Sequence, residues 1–528
     1  MRALTGGTST ETTPAARGMT RRDMLALAAL GLASGAPGRA FAAAPHGQLT
    51  WGAPISLATT WFEPAETPAI ITPFMVLYAL HDAMVKPMPA NPLAPCLAES
   101  FTASEDGLSH DFALRQGAKF HNDEPVTAED VKFSFERYRG ASYQMMRNRV
   151  ATVEALDPHH VRFKFKQPWP DFLTFYGSAT GAGWIVPKKY VEKVGEEGYK
   201  KAPIGAGPYK FVSFDPGVEL GLEAFEGYWR KIPSVKRLVL KSIPDEATRL
   251  AALKRGEIDI AYNIRGELAE DLQRTPGLTL KPVYAPLPAW LYFPEQWDPK
   301  SPWHDERVRR AVGLAINGKT INEALSLGYS RITNSIVPDS FEFYWQPPAA
   351  VYDAAKAKQL LAEAGYPNGF DAGEYSCDGS FANLGEAVLN NLHAVGIRAK
   401  FRPLERAAFL DAYTNKKLKN IIQAQSASFG NAATRIEAFV VKGGTYAYGN
   451  YPDIDALFRQ QEIELDHKRR TATLHKIQQL INERAIFVPI WQFAILEGVG
   501  PRVGESGLGL IDGFSYSAPY DDITLKSG

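Results

Sequence analysis

Segments with a two-residue hydrophobic period alternate along this chain with segments of helical period, and that alternation constrains the fold more than any other feature. His110-Asp111-Phe112-Ala113-Leu114 and Val161-Arg162-Phe163-Lys164-Phe165 alternate polar and apolar residues, as half-buried strands do. Pro168 stops the second. Between them, Thr127 and Asp130 have the spacing of a capping box, and Val131, Phe135 and Tyr138 share one face of the helix that follows. Residues 48–57 read as an opening strand, and 238–243 as another. Asp245 then caps a helix carrying Leu250 and Leu253, which stops at Gly256 before a strand over 258–261. A β-α-β unit of this kind calls for a mixed sheet covered by helices. Asp353 caps a later helix whose inner face is Ala357, Leu360, Leu361 and Ala364, with Gly365 as its stop. Leu474, Ile477 and Ile481 stripe another helix, and 486–491 read as the last strand. The expected class is α/β.

The N-terminus reads as an export signal. Arg21-Arg22 precedes a short apolar run over residues 25–32, and Ala40-Phe41-Ala42 follows, the n-region, h-region and cleavage site of a secretory signal. The run is too short to cross a bilayer as a stable helix. The paired arginines resemble the twin-arginine signal. Cleavage near Ala42 would remove five Arg and two acidic residues, leaving 53 basic and 56 acidic side chains. That near-balance argues against a nucleic-acid or anionic-membrane surface, either of which needs a basic stripe. Nearly five hundred mature residues exceed one core, so two or three lobes are expected. Cys96 and Cys377 are isolated, without metal-ligand spacing, and read as small buried hydrophobes; no metal and no cofactor is expected.

Catalytic spacings are missing, with one exception in form. Gly313-Leu314-Ala315-Ile316-Asn317-Gly318-Lys319-Thr320 fits the phosphate-loop expression, which would make the chain a secreted hydrolase or ATPase. That chemistry needs a strand running into a loop. Here Val308, Ala311, Val312 and Ala315 instead stripe a helix that contains Gly313. The match is read as accidental and the chain as not an enzyme.

Several blocks occur in order: Leu97-Ala98-Glu99-Ser100-Phe101, Phe112-Ala113-Leu114-Arg115-Gln116-Gly117-Ala118-Lys119-Phe120-His121, Val126-Thr127-Ala128-Glu129-Asp130-Val131, Pro203-Ile204-Gly205-Ala206-Gly207-Pro208-Tyr209 and Arg307-Val308-Arg309-Arg310-Ala311. Together they resemble the family 5, dipeptide/oligopeptide-type solute-binding proteins of bacterial ABC importers. The resemblance implies a two-lobed, hinged periplasmic-binding-protein fold, type II and cluster C-like, with an inserted subdomain. Lobe I would comprise 46–78, 203–283 and 488–528, the insertion 79–202, and lobe II 284–487. It further implies a monomeric periplasmic protein that closes on a peptide-like or other small polar solute and hands it to a membrane permease. A chaperone or sensor accessory on the same scaffold is a further reading.

Ligand contacts are expected at strand ends and loops facing the cleft. Trp61 and Phe62 offer flat apolar walls, and Glu63 a partner for a cation. Trp290 and Tyr292 lie on the strand expected to cross between lobes. Ser426, Ser428, Phe429 and Asn431 fall where the resemblance implies a Trp-rich stretch and an Asp that pairs with a peptide's α-ammonium. Residues 425–435 hold no acidic residue, and a buried ammonium without a carboxylate is costly. A neutral, hydroxylated or acidic ligand (an opine, a sugar derivative or a metal chelate) is therefore an alternative to a peptide, with Arg435 as an anion partner.

Overall fold

The opening strand, His46–Ala53, lies between two parallel neighbours, Val235–Ser242 and Ile260–Ala261, and is buried from Leu49 onward. This is the β-α-β unit of the sequence, with the helix Glu246–Lys254 as its crossover and the Asp245 carboxylate accepting from the Thr248 N–H at 2.7 Å. The structure, a computed structural model, describes residues 44–55, 57, 59–66, 73–140 and 143–526. The export segment expected over 1–42 lies outside the described residues. The opening strand ends at Ala53, short of the expected 57, because Pro54 follows.

One large mixed sheet organises the molecule. Its order is Tyr209–Asp215, Glu219–Ala224, Val235–Ser242, His46–Ala53, Ile260–Ala261, Phe487–Val499, Thr279–Tyr292, Ile421–Gln425, Phe370–Asp378 and Ile397–Leu404, with Arg331–Ile332 also pairing Phe487–Val499. The last strand thus runs well past the expected Trp491. Apolar side chains gather in separate clusters. One surrounds Trp51, Phe62 and Tyr78 on the N-terminal half of the sheet. Two lie on the other half, around Val312 and Val388 and around Trp290 and Ile436. A further cluster, around Phe112, Phe163 and Tyr176, belongs to a separate antiparallel sheet of Ala98–Ala103, Ser109–Leu114, His160–Phe165 and Val150–Asp157. The helix Ala128–Glu136 packs against that sheet, and its capping box forms as read: the Asp130 carboxylate accepts from the Thr127 N–H at 2.9 Å.

The glycine-bearing segment 203–209 joins this smaller sheet to the larger one. The His121 ring clips it, with Nδ1 accepting from the Gly205 N–H at 3.2 Å and Nε2 donating to the Gly207 carbonyl at 3.0 Å. Burial pulls the pKa of His121 down to about 3, so the ring is neutral and this tautomer fixed. The Gly207 N–H donates to the Leu80 carbonyl at 3.1 Å.

The phosphate-loop match dissolves in the fold. Gly313 sits inside the helix Glu306–Ala315, and Gly318 opens a second helix, Gly318–Ser326. The Asn317 carboxamide already accepts from the Thr320 N–H at that helix's start, and Lys319 points into solvent. Cys96 and Cys377 are free and buried. Among the described residues no helix is long and apolar enough to cross a membrane, and no cluster of metal-binding side chains occurs.

Candidate ligand-binding site at the strand crossing

Two long antiparallel strands, Thr279–Tyr292 and Phe487–Val499, carry the chain between the halves of the sheet. Their ladder runs from Thr279 opposite Val499 to Tyr284 opposite Ala494, then breaks until Pro288 opposite Gln492. Residues 285–287 therefore face Phe493 alone. Pro286 stands in the break, Pro288 at its edge and Pro282 in the paired stretch before it, and none can donate to the ladder. The Gln492 side chain replaces one lost bond, donating to the Ala285 carbonyl at 3.0 Å. A sheet with missing rungs bends most easily there.

Side chains from both halves converge on this break. Ala285, Leu287 and Ile495 are buried, with Tyr262, Phe381, Ala427 and Phe493 half-buried around them. Tyr262 stacks on Tyr516 at 4.7 Å, and both rings meet Trp51. Phe381 meets Phe493 at 5.2 Å. Beyond Ser428, Phe429 stacks between Phe74 at 6.5 Å and Phe514 at 6.2 Å, so three rings from both halves close one end. At the opposite edge Arg265 reaches the Ser380 carbonyl at 3.5 Å, and the exposed Arg406 pairs at 2.9 Å with Asp378, which is buried.

Two buried ionisable side chains shape these walls. Arg249, 1% exposed, donates to four carbonyls, Tyr262 at 2.6 Å, Ile243 at 2.7 Å, Asn263 at 2.9 Å and Pro244 at 3.1 Å. It therefore fixes the backbone that presents Tyr262. Glu497, on the crossing strand, is fully buried and neither carboxyl oxygen makes a hydrogen bond of good geometry. Burial, which outweighs the nearby Arg249 guanidinium, holds its pKa well above the usual carboxylate range. A carboxyl with a raised folded-state pKa favours folding most below its unfolded value of about 4.3, and that contribution is lost as pH rises toward the folded value. Glu497→Gln is therefore expected to melt higher than the unsubstituted protein at pH 8 and no higher at pH 4. The gap should widen by about 1.4 kcal/mol per pH unit within the window. Calorimetry across pH checks this, and a gap that stays constant with pH would contradict it.

The structure redistributes the side chains singled out in the sequence. Ser426 and Ser428 are half-buried beside the crossing, on the segment that carries Ala427. Phe429 belongs to the cross-half stack. Trp61 is half-buried against the N-terminal core. Phe62 and Glu63 are inside that core: Phe62 meets Phe214 edge-on at 5.1 Å, and Glu63 is ion-paired to Arg137 at 2.7 Å, which leaves no carboxylate for a ligand cation. Trp290 and Tyr292 lie on the crossing strand, but they face the C-terminal core, against Phe439 at 5.0 Å and Phe487 at 5.0 Å. Asn431 is a helix cap whose side chain donates to Asp171 at 2.6 Å. Arg435 is 3% exposed, donates to the carbonyls of Ser426, Ser428 and Pro286, and lies over Trp290, Phe341 and Phe439. With no carboxylate partner, burial pulls its pKa down to about 9. It is a strut behind the wall rather than an anion partner on it. The sequence reading missed Tyr262, Tyr516, Phe381, Phe493, Arg265 and Arg406. Only Tyr262 had a signal, standing directly after a recognised strand.

Comparison with known proteins bears on this geometry. The model of the bacterial extracellular solute-binding proteins, family 5 Middle, matches residues 92–447. The glutathione-binding protein GsiB of Escherichia coli O1:K1 / APEC is 30% identical over 416 residues, covering 75% of this chain and 79% of that protein. The substrate-binding protein CtaP of Listeria monocytogenes superposes with a TM-score of 0.80 at 20% identity, covering 92% of this chain and all of the other. The periplasmic binding protein DppA from Helicobacter pylori, in complex with the peptide STSA, superposes with a TM-score of 0.74 at 23% identity, covering 91% and 98%.

Proposed function

We propose, on the premise that this chain belongs to the bacterial extracellular solute-binding proteins of family 5, that it captures a short peptide-like solute of the size of glutathione and hands it to an ABC permease. The family match carries the solute-binding role, and the break in the crossing strands supplies the hinge. In this reading residues 46–78, 203–283 and 488–528 form one lobe, 284–487 the other, and 79–202 ride with the first. The residues 1–42 serve as an export signal of the twin-arginine kind, and the mature monomer works in the periplasm without catalysing a reaction.

The solute lies against Tyr262 and Phe381, with Ser426 and Ser428 beside it and the Phe429 stack limiting its length. Arg265, paired with Glu246 at 3.2 Å, and Arg406, paired with Asp378 at 2.9 Å, lie on opposite lobes, and a solute whose carboxylates outnumber its ammonium groups, as glutathione's do, shares their guanidinium groups with these acidic partners. Closing both lobes over such a solute buries most of its surface. Thermal melting of the purified mature protein with glutathione, γ-glutamyl dipeptides and ordinary di- and tripeptides tests this. Glutathione at about 1,000 times its dissociation constant is expected to add about 4 kcal/mol of stability. If none of these solutes raises the melting temperature at millimolar concentration, and native mass spectrometry finds a non-peptide solute in the protein as purified, the peptide-like part of the proposal is wrong.

A further inference from the structure

A second set of contacts links the smaller sheet to the C-terminal half, starting two residues beyond Phe429. Asp171, just beyond the strand His160–Phe165, is 5% exposed and reaches into the C-terminal half. There its carboxylate is ion-paired with Arg470 and accepts from the Asn431 side chain. Arg470 is itself held by Gln461 at 3.0 Å and lies over the Phe343 ring at 4.9 Å. Arg149, from the same smaller sheet's edge, lies over Trp169 at 5.3 Å and reaches Glu462 at 3.0 Å and Glu437 at 3.3 Å. Leu465 lies against Gly107, where a Cβ would come within 2.8 Å of it. The anchoring groups of one side lie in 107–171 and those of the other, apart from Phe343, in 431–470.

We infer that these residues form a latch by which the inserted subdomain grips lobe II, holding the protein partly closed without any solute. The inference rests on the hinge reading above. Bending at the strand crossing would separate Asp171 from Arg470 and Arg149 from Glu437 and Glu462, because the two members of each pair lie on opposite sides of that crossing. The Asp171–Arg470 pair is desolvated, so its loss is felt far more than that of an exposed pair. A latch that pre-populates the closed form raises the apparent solute affinity by the same factor. It also makes the inserted subdomain part of the closing mechanism, although it has no place at the strand crossing.

The test uses the full mature chain without solute. One variant combines Asp171→Asn with Arg470→Gln, which removes both charges and leaves no unpaired ion; the other is Arg149→Gln alone, at a site 16% exposed where glutamine keeps part of the packing over Trp169. X-ray scattering reads the overall opening, and hydrogen exchange reads the amides of 107–171, 431–470 and, separately, 425–429 at the strand crossing. The latch predicts an expanded envelope in both variants, faster exchange at 425–429, and a shift of about tenfold or more toward the open form in the double variant. Unchanged scattering with unchanged exchange at 425–429 would overturn it. If exchange then rises only within 107–171 and 431–470, the contacts are real but the lobes do not hinge, and the hinge reading fails with the latch. If exchange rises nowhere, the contacts hold nothing and the hinge reading stands by itself.

Discussion

Arg249→Met is expected to lower folding stability by about 4 kcal/mol or more, read as a fall in the denaturant midpoint at unchanged slope. Four carbonyls depend on this one guanidinium, at 2.6 to 3.1 Å, those of Ile243, Tyr262 and Asn263 in half-buried residues and that of Pro244 in an exposed one. A buried acceptor deprived of its donor costs about 1–3 kcal/mol. Relief of the guanidinium's own burial offsets part of this, since burial lowers its pKa. Four short bonds outweigh that relief. Glu497 also loses the cation nearest to it. Arg249→Lys should recover only a minor part, because one ammonium cannot span carbonyls on both the 243–244 and 262–263 sides. Solute binding should fall together with stability, since Tyr262 is presented by the tied backbone. A midpoint within experimental error of the unsubstituted protein would refute the account.

Gly205→Ala is expected to leave little folded protein. A Cβ at this position would overlap the Leu80 carbonyl oxygen and sit 2.7 Å from His81 Nδ1. At Gly207 a Cβ would come within 2.6 Å of the Ala79 oxygen and the His81 nitrogen. These neighbours are backbone and the buried His81 ring, held to the Phe62 carbonyl at 2.9 Å, and the glycine segment cannot shift away without breaking the His121 clip. A forced separation here also pulls apart the smaller sheet and the N-terminal half of the large one. A loss above about 4 kcal/mol places the change among the exceptional single substitutions. Soluble yield and the near-ultraviolet circular dichroism of any recovered protein provide the measurement; a native spectrum with an unchanged melting temperature would show that the segment has slack.

Much of the scaffold was legible because local chemistry fixed it. Thr127 with Asp130, Asp245 with Thr248 and Asp353 with Lys356 all form caps that spacing alone announces. The alternation in 110–114 and 161–165 gave adjacent antiparallel strands. The site was less legible, for a physical reason. An aromatic residue at a strand end carries the same sequence signal whether it faces a cleft or a core. Trp290 and Tyr292 lie on the crossing strand as expected, and their rings still fill the C-terminal core. Glu63 reads as an exposed carboxylate until Arg137, 74 residues later, is seen to neutralise it. Arg249 is hidden within an apolar helical stripe, and nothing local reveals that it faces four carbonyls from two separate loops. Phe493 falls just past the recognised end of the last strand.

The pairing of the first described strand with the last segments of the chain has a consequence for the order of events on the ribosome. His46–Ala53 has Ile260–Ala261 beside it, and that short strand is completed only by Gly498 and Val499. Arg502 then ties Asp259 and the Gln48 carbonyl together, and Leu525 lies against Gly47. A growing chain therefore carries the open edge of Ile260–Ala261 through more than two hundred residues of synthesis. Contacts this distant in sequence form slowly, and an open edge invites wrong partners meanwhile. Truncating the last thirty residues should thus do more harm than their number suggests: the earliest strand would keep both neighbours in the sheet, but Ile260 would lose its Val499 partner, and Asp259 and Gly47 their contacts with Arg502 and Leu525.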